Sequence, residues 1–325
     1  MTEKKTSALL VGYIGSGNFG DDAGIDFFLN HRNDRHFFAL SFGSRLSQTN
    51  CETYYWTKSR FQNIRVFLYL IQRVNQVIWV GGTCFTDYEG DGLFKYMIMA
   101  KLFGKEISYI AVGADRLLKY SRKIKTTILC WLASEISVRD PRSLALLREL
   151  PMASKRSETF SREDDLACEW MSEYLKEYSP CNSSGNQIVI AWRGFSSKNS
   201  SKLSWHSLAA WIQENIKVDS ALRILITDPK KDTVVSVKIF DLLKKHFSDI
   251  QIFENLCPED VVDLVHAADT VITSRLHVAA LGSYLGKKTL AYRYADKMEF
   301  LKAEKGFSYS LFSNLTELDA CDFQN

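Results

Sequence analysis

An arginine and a histidine stand two residues apart in Thr273-Ser274-Arg275-Leu276-His277, behind an apolar run that reads as a strand and ahead of one that reads as a helix. Arginine stays protonated and pairs bidentately with carboxylate or phosphate, whereas histidine titrates near neutral pH and moves protons. A second arginine leaves another apolar run in Ala191-Trp192-Arg193-Gly194. Two fixed cations with one imidazole suit a small substrate bearing several negative charges, and His277 is the candidate acid or base. His31, His36, His206, His246 and His266 lack such neighbours and read as structural.

Three further loops lie where strands should end. Gly12-Tyr13-Ile14-Gly15-Ser16-Gly17-Asn18-Phe19-Gly20-Asp21-Asp22 would let backbone N–H groups approach an anion at a helix start. It lacks the GK[ST] of a phosphate-binding P-loop and the spacing of a dinucleotide fingerprint. Its plainer reading is a tight turn with Asp21 or Asp22 capping the helix. In Gly81-Gly82-Thr83-Cys84-Phe85-Thr86-Asp87, Asp87 either accepts a bond from a sugar hydroxyl or caps a helix, and Cys84 reads as a small buried residue. In Arg139-Asp140-Pro141, Asp140 is the expected N-cap and Arg139 the better ligand contact.

Short β-rich runs alternate with longer amphipathic segments through the chain, the pattern of α/β folds with parallel sheets. Strands are expected at Ala8–Tyr13, Phe37–Ser41, Gln76–Val80, Ile107–Ala111 and Ile136–Val138, then at Ile188–Trp192, Leu222–Thr227, Ile250–Phe253, Thr270–Thr273 and Lys288–Tyr292. Helices are expected near Asp22–Asn30, Ser59–Val74, Gly92–Phe103, Ser121–Ser134, Pro141–Leu150, Ser204–Ile216, Thr233–Phe247, Pro258–Ala267 and Leu276–Leu285. The polar stretches Pro151–Glu163 and Tyr178–Asn186 separate two halves, and 325 residues suffice for two domains at roughly 100–200 each. The expectation is two Rossmann-like domains, residues 1–165 and 166–325, facing a cleft, with ligands at the carboxyl ends of the strands.

Composition narrows the function classes. A net charge of +3, from 41 Lys+Arg against 38 Asp+Glu, lacks the basic excess of a dedicated nucleic-acid binder. Seven scattered cysteines without a CxxC fit neither a zinc site nor a disulfide framework, so no metal is expected. The start Met1-Thr2-Glu3-Lys4-Lys5 leads into an apolar stretch too short for a signal peptide, and no apolar run nears the roughly 20 residues that span a bilayer. A cytoplasmic protein is expected. The basic stretch with Lys119, Arg122, Lys123 and Lys125 could meet the inner face of an anionic membrane, although a solvated helix packing Ile128, Leu129, Cys130 and Trp131 is the default.

In order and spacing these loops resemble the polysaccharide pyruvyl transferase family. The resemblance is carried by GYxGxGNxGDD (Gly12 to Asp22), GG-x-x-F-x-D (Gly81 to Asp87), Ser137-Val138-Arg139-Asp140 with Ser143, and Ala268-Asp269-Thr270-Val271-Ile272-Thr273-Ser274-Arg275-Leu276-His277. It runs from about Leu9 to Tyr292. It departs at GGT, where a third glycine is common, and at Ala111-Val112-Gly113-Ala114-Asp115-Arg116, a poor match to the family's glycine-rich fourth-strand loop.

The resemblance implies a glycosyltransferase-B-like fold and transfer of pyruvate from phosphoenolpyruvate to two hydroxyls of a sugar, as a cyclic ketal, with phosphate released. It places the donor on the C-terminal domain, at Arg193, Ser274, Arg275, Leu276 and His277, and needs no cofactor beyond phosphoenolpyruvate. Gly15, Asn18, Asp21, Asp87 and Arg139 are then expected on the acceptor side. Family acceptors are sugars of surface or cell-wall polymers, often on a lipid carrier, or terminal galactose in eukaryotes. The alternatives are a nucleotide-sugar glycosyltransferase, needing a late glutamate such as Glu299 or Glu304 on the ribose, and a non-catalytic carbohydrate-binding relative. The cationic residues count against the latter.

Overall fold

The computed structural model of the chain describes residues 7–32, 34–43, 46, 48–87, 91–151, 158–179, 186–195 and 203–319. They form two compact units, one of residues up to Trp170 and one from Met171 onward, Gly17–Phe19 grouping with the second. Most of the two expected linker stretches, residues 152–157 and 180–185, lies outside the described residues.

The first unit contains strands β1 (Ser7–Gly12), β2 (His36–Ser41), β3 (Cys51–Tyr55), β4 (Gln76–Val80), β5 (Thr83–Phe85), β6 (Glu106–Ala114), β7 (Glu135–Val138) and β8 (Phe160–Arg162). Its helices are α1 (Phe19–Asn30), α2 (Arg60–Ile71), α3 (Phe94–Leu102), α4 (Tyr120–Leu132) and α5 (Pro141–Arg148), and α6 (Leu166–Glu177) carries the division between the units. The strands lie in the order β3-β2-β1-β4-β6-β7-β8, with β5 beside β6. All these pairings are parallel. Alternate residues of β1 explain the doubly covered sheet: Leu9 and Val11 join a core with Phe67 and Leu70 of α2, whereas Ala8 and Leu10 join Ile25, Phe28 and Leu29 of α1.

One expected loop is strand. β6 continues through Ala114, so the first four residues of Ala111–Arg116 belong to the sheet. The strand gets there through a register shift between Tyr109 and Val112, with Ala111 at φ 51°. The N–H that this irregularity takes from the ladder is bonded instead to Ser137 Oγ at 2.8 Å, and that hydroxyl donates to Glu163 at 2.6 Å.

The second unit holds β9 (Gln187–Ala191), β10 (Ala221–Leu225), β11 (Ile250–Phe253), β12 (Thr270–Thr273), β13 (Lys288–Tyr292) and β14 (Ser310–Phe312). Its helices are α7 (Trp205–Asn215), α8 (Pro229–Leu243), α9 (Pro258–His266), α10 (Leu276–Tyr284), α11 (Lys297–Lys305) and α12 (Leu315–Asp319). The parallel order is β11-β10-β9-β12-β13-β14. Ile190, Trp192, Ile212, Ile224 and Ile272 share its main core. Helix α8 starts at Pro229, four residues before the expected Thr233, since Asp228-Pro229 puts proline at the first turn, where its missing N–H costs nothing.

In each sheet the chain builds outward from one strand and then reverses direction, at β1/β4 in the first and β9/β12 in the second. At such a break the loops leaving neighbouring strands go to opposite faces and open a crevice at the strand carboxyl ends. Gly15 and Asn18 follow β1, Arg193 follows β9, and Ser274 and Arg275 follow β12, whereas Asp87 follows β5 and Arg139 follows β7, away from the breaks.

Candidate functional site

The second unit's break is sewn together by its own residues. Ser274, wholly buried, accepts a bond from the Arg193 N–H at 2.7 Å and donates its own N–H to the Ala191 carbonyl at 3.0 Å. Thr273 Oγ1 donates to the same carbonyl at 2.9 Å and accepts from the Arg275 N–H at 2.9 Å. Ser274, expected to touch the donor, ties the exits of β9 and β12 together, its hydroxyl taken by the Arg193 N–H. Gly194 lets that loop pass against α8: a Cβ there would lie 2.2 Å from the Lys231 carbonyl oxygen, which accepts the Gly194 N–H at 3.2 Å. Leu276 is buried at the head of α10, and His277, the next residue, is half-buried. Arg275 precedes the helix in extended conformation and its side chain does not cap it.

The charge pattern differs from the expected pair of available arginines. Arg275 is buried and paired with Asp232, itself wholly buried, and stands 3.5 Å from Asp228. Lys231 Nζ lies 3.2 Å from the Asp228 carboxylate. Burial by itself would lower the Arg275 pKa, but Asp232 and then Asp228 hold it above its ordinary value. Burial raises Asp232, against the opposing pull of Arg275. Arg275 is thus a fixed, already partnered cation, while half-buried Arg193 lies with Cζ 5.4 Å from the Tyr294 ring centroid.

Tyr294 was not singled out by sequence. It follows β13, with Lys297 Nζ 5.2 Å from its ring centroid and Phe195 at 5.6 Å. Burial pushes the phenol up, yet Lys297 and Arg193, with Arg275 beyond them, outweigh it and hold it down to about 8. Arg193, Arg275, Lys231 and Lys297 against Asp228 and Asp232 leave the cluster two positive charges while the phenol is neutral. When the phenol ionises, one is cancelled. Sulfate, whose charge is constant over this range, is expected to bind less tightly as pH rises through about 8, and Tyr294→Phe should bind it equally on both sides; calorimetric titration in both proteins checks this. A signal for Tyr294 existed, since Tyr292-Arg293-Tyr294 leaves a strand just as Arg193 does. For Asp228 it was the Asp-Pro pair already noted at Asp140-Pro141.

In the first unit several expected acceptor contacts are occupied internally. Helix α1 starts at Phe19, so Asp21 and Asp22 lie in its first turn instead of capping it, and Asn18 precedes it. Gly15, at φ 61°, donates its N–H to Asp22 at 2.9 Å, which closes the loop. Asp87 is buried and takes the N–H groups of Leu118 at 2.7 Å and Lys119 at 3.1 Å, at the start of α4. Its carboxylate thus takes the helix-capping role that was the plainer of its two readings. Arg139 is likewise an internal group: it pairs with Asp165 at 3.0 Å, donates to Thr83 Oγ1 at 2.9 Å, and is held above its ordinary pKa against burial by Asp165, Asp140 and Asp21. Each of these two finds complementary groups within its own unit, which spacing along the chain does not reveal. Asp140 accepts from the Ser143 N–H at 2.7 Å with Pro141 first in the helix, as its sequence predicts. Burial pushes the Cys84 thiol well up, in keeping with a packing role. Among the described residues no cluster of His, Cys, Asp or Glu is arranged to hold a metal.

No protein-family model matches the chain, and no curated protein sequence matches it. Solved structures do. A co-structure of S. aureus MnaA with UDP is 14% identical with a TM-score of 0.64, over 97% of this chain and 86% of that one. A UDP-GlcNAc 2-epimerase from Methanocaldococcus jannaschii is 13% identical, TM-score 0.64, over 97% and 91%. A glycosyltransferase from Rickettsia africae is 13% identical, TM-score 0.58, over 98% and 88%. At these identities the likeness establishes the fold: an α/β chain with two parallel, Rossmann-like sheets, as in glycosyltransferase-B-like proteins.

Proposed function

We propose that the chain is a sugar-modifying transferase whose second unit holds a small phosphorylated anion, and that this donor is phosphoenolpyruvate. The observation that carries the reading is the cluster of Arg193, Arg275, Lys297 and Tyr294 at the break in strand order, with His277 in the first turn of the helix behind it. A carboxylate and a phosphate on one three-carbon unit need cations in two places, which a partnered Arg275 and a less buried Arg193 supply. His277 gives a proton to the methylene carbon as one sugar hydroxyl adds to the adjacent carbon. Phosphate leaves, stabilised by the arginines, and the second hydroxyl closes the ketal. Of the two hydroxyl protons, one returns to His277 and the other departs with phosphate.

A second reading, a nucleotide-sugar enzyme, has its own support. The solved structures above are named for UDP or UDP-sugar proteins or a glycosyltransferase, and likeness of fold favours this class over pyruvyl transfer. Glu299, not evidently placed after a strand by sequence, lies in the first turn of α11 behind β13, its carboxylate 2.7 Å from Arg293. Calorimetric titration with phosphoenolpyruvate, UDP and UDP-GlcNAc separates the two. Saturable phosphoenolpyruvate binding without UDP binding is the expected result; UDP or UDP-GlcNAc binding with no phosphoenolpyruvate binding overturns it.

A further inference from the structure

The first unit carries an apolar and basic face that the chemistry above does not use. On α4, Thr126, Leu129 and Cys130 pack inward, whereas Tyr120, Ile124 and Trp131 recur at helical spacing on the opposite side and are 78%, 43% and 55% exposed. Leu118, just before the helix, is 73% exposed. The sequence-based default of Trp131 packing inward with Leu129 and Cys130 is thus corrected: a residue one position beyond Cys130 turns about 100° away from it. Helix α3 packs beside α4, and both run into parallel neighbouring strands, so their last turns lie at the same end of the sheet. At that end α3 leads into exposed Leu102 and Phe103.

The charges carried by α3, α4 and the segment before α4 are all basic, with exposed Glu106 and Glu135 following the two helices. Residues 93–105 and 116–134 contain no aspartate or glutamate, yet they hold Lys95, Lys101, Lys105, Arg116, Lys119, Arg122, Lys123 and Lys125. Lys125 is paired with Asp91 at 2.9 Å and Lys119 Nζ donates to the Asp87 carbonyl at 3.1 Å. Lys95, Lys101, Arg116 and Lys123 are exposed. In a chain of net charge +3 this is a marked segregation.

We propose that the face formed by α4, Leu118 and the end of α3 docks on an anionic lipid surface. Aromatic and aliphatic side chains enter the headgroup boundary while neighbouring lysines and arginines meet lipid phosphates, and attraction is the sum of both terms. Charge chooses this occupant over a second copy of the chain. A two-fold contact brings the same patch to itself, and here it would set cations against cations. The proposal is independent of which donor the second unit binds.

Co-sedimentation of the full chain with phosphatidylcholine vesicles, plain or containing phosphatidylglycerol, tests it. Binding is expected to the anionic vesicles and to fall with salt. Lys101→Ala with Lys123→Ala should lower partitioning roughly twenty-fivefold at low salt, each cation near such a surface being worth about fivefold. Leu118→Ser with Tyr120→Ser should remove the part that salt leaves. All four side chains are exposed, so unchanged thermal unfolding certifies that the variants are folded. Equal binding to both vesicle types, or none to either, overturns the proposal. So does self-association in sedimentation velocity that the same substitutions abolish, which would make the face an interface between copies.

Discussion

Arg275→Met is expected to destabilise the second unit by about 3–5 kcal/mol, read from denaturant unfolding, because it strips the partner from a wholly buried carboxylate. Asp228 at 3.5 Å loses the same counter-charge. Arg193→Met should cost under about 1 kcal/mol, its guanidinium being half-buried and set against an aromatic ring. Both variants weaken anion binding, so stability and affinity part company at Arg193 and move together at Arg275. Asp232→Asn sharpens the test: it too should destabilise, while raising the affinity for sulfate by freeing a positive charge. An Asp232→Asn protein that binds sulfate more weakly than the parent would refute the view that this carboxylate tempers the site. Burial and the neighbouring Asp228 both push Asp232 up against the pull of Arg275 and Arg193, so the pair is weak evidence of a stability device and is better explained by the place in which it fixes the guanidinium.

His277→Ala is expected to lower kcat for ketal formation by about 10²–10⁴-fold and leave phosphoenolpyruvate affinity within a few-fold of the parent. Its backbone belongs to the first turn of α10 and is unaffected by loss of the ring. In the proposed site the anion is assigned to Arg193, Arg275 and Lys297, which the substitution leaves in place. Single-turnover phosphate release together with calorimetric titration measures both quantities. Turnover at the parent rate would remove His277 from the proton transfer, and loss of binding would make it a ligand-holding group.

The long, buried elements were legible in the sequence. β4, β12 and β13 occupy the expected residues, since strands in a parallel core read as compact apolar runs between turn residues, and the edge strand β11 matches as well through its Ile-Gln-Ile-Phe alternation. The strands that escaped notice are short or lie at sheet edges. β3 reads Cys-Glu-Thr-Tyr-Tyr, β8 Phe-Ser-Arg and β14 Ser-Leu-Phe; each ends a sheet and owes its form to a neighbour's hydrogen bonds more than to its own apolar content. Helix α6 is not legible in the sequence because it follows closely on the polar stretch Pro151–Glu163, which reads as a linker.

For the site, sequence by itself determined the places and tertiary structure the charges. The rule that ligands gather where parallel strands end is local, so Arg193, Arg275 and His277 could be nominated from the runs before them. Whether each is free to meet a ligand is not local. Arg275 is partnered by a carboxylate 43 residues away, Asp87 caps a helix 32 residues on, and Arg139 meets Thr83 across 56. Coulombic and hydrogen-bonding energies depend on distance in space and on exclusion of water, neither of which sequence separation records. The same reasoning holds for α4, whose basic character was legible and whose outward-facing Tyr120, Ile124 and Trp131 were not: composition counts apolar residues, but only packing decides which of them are covered.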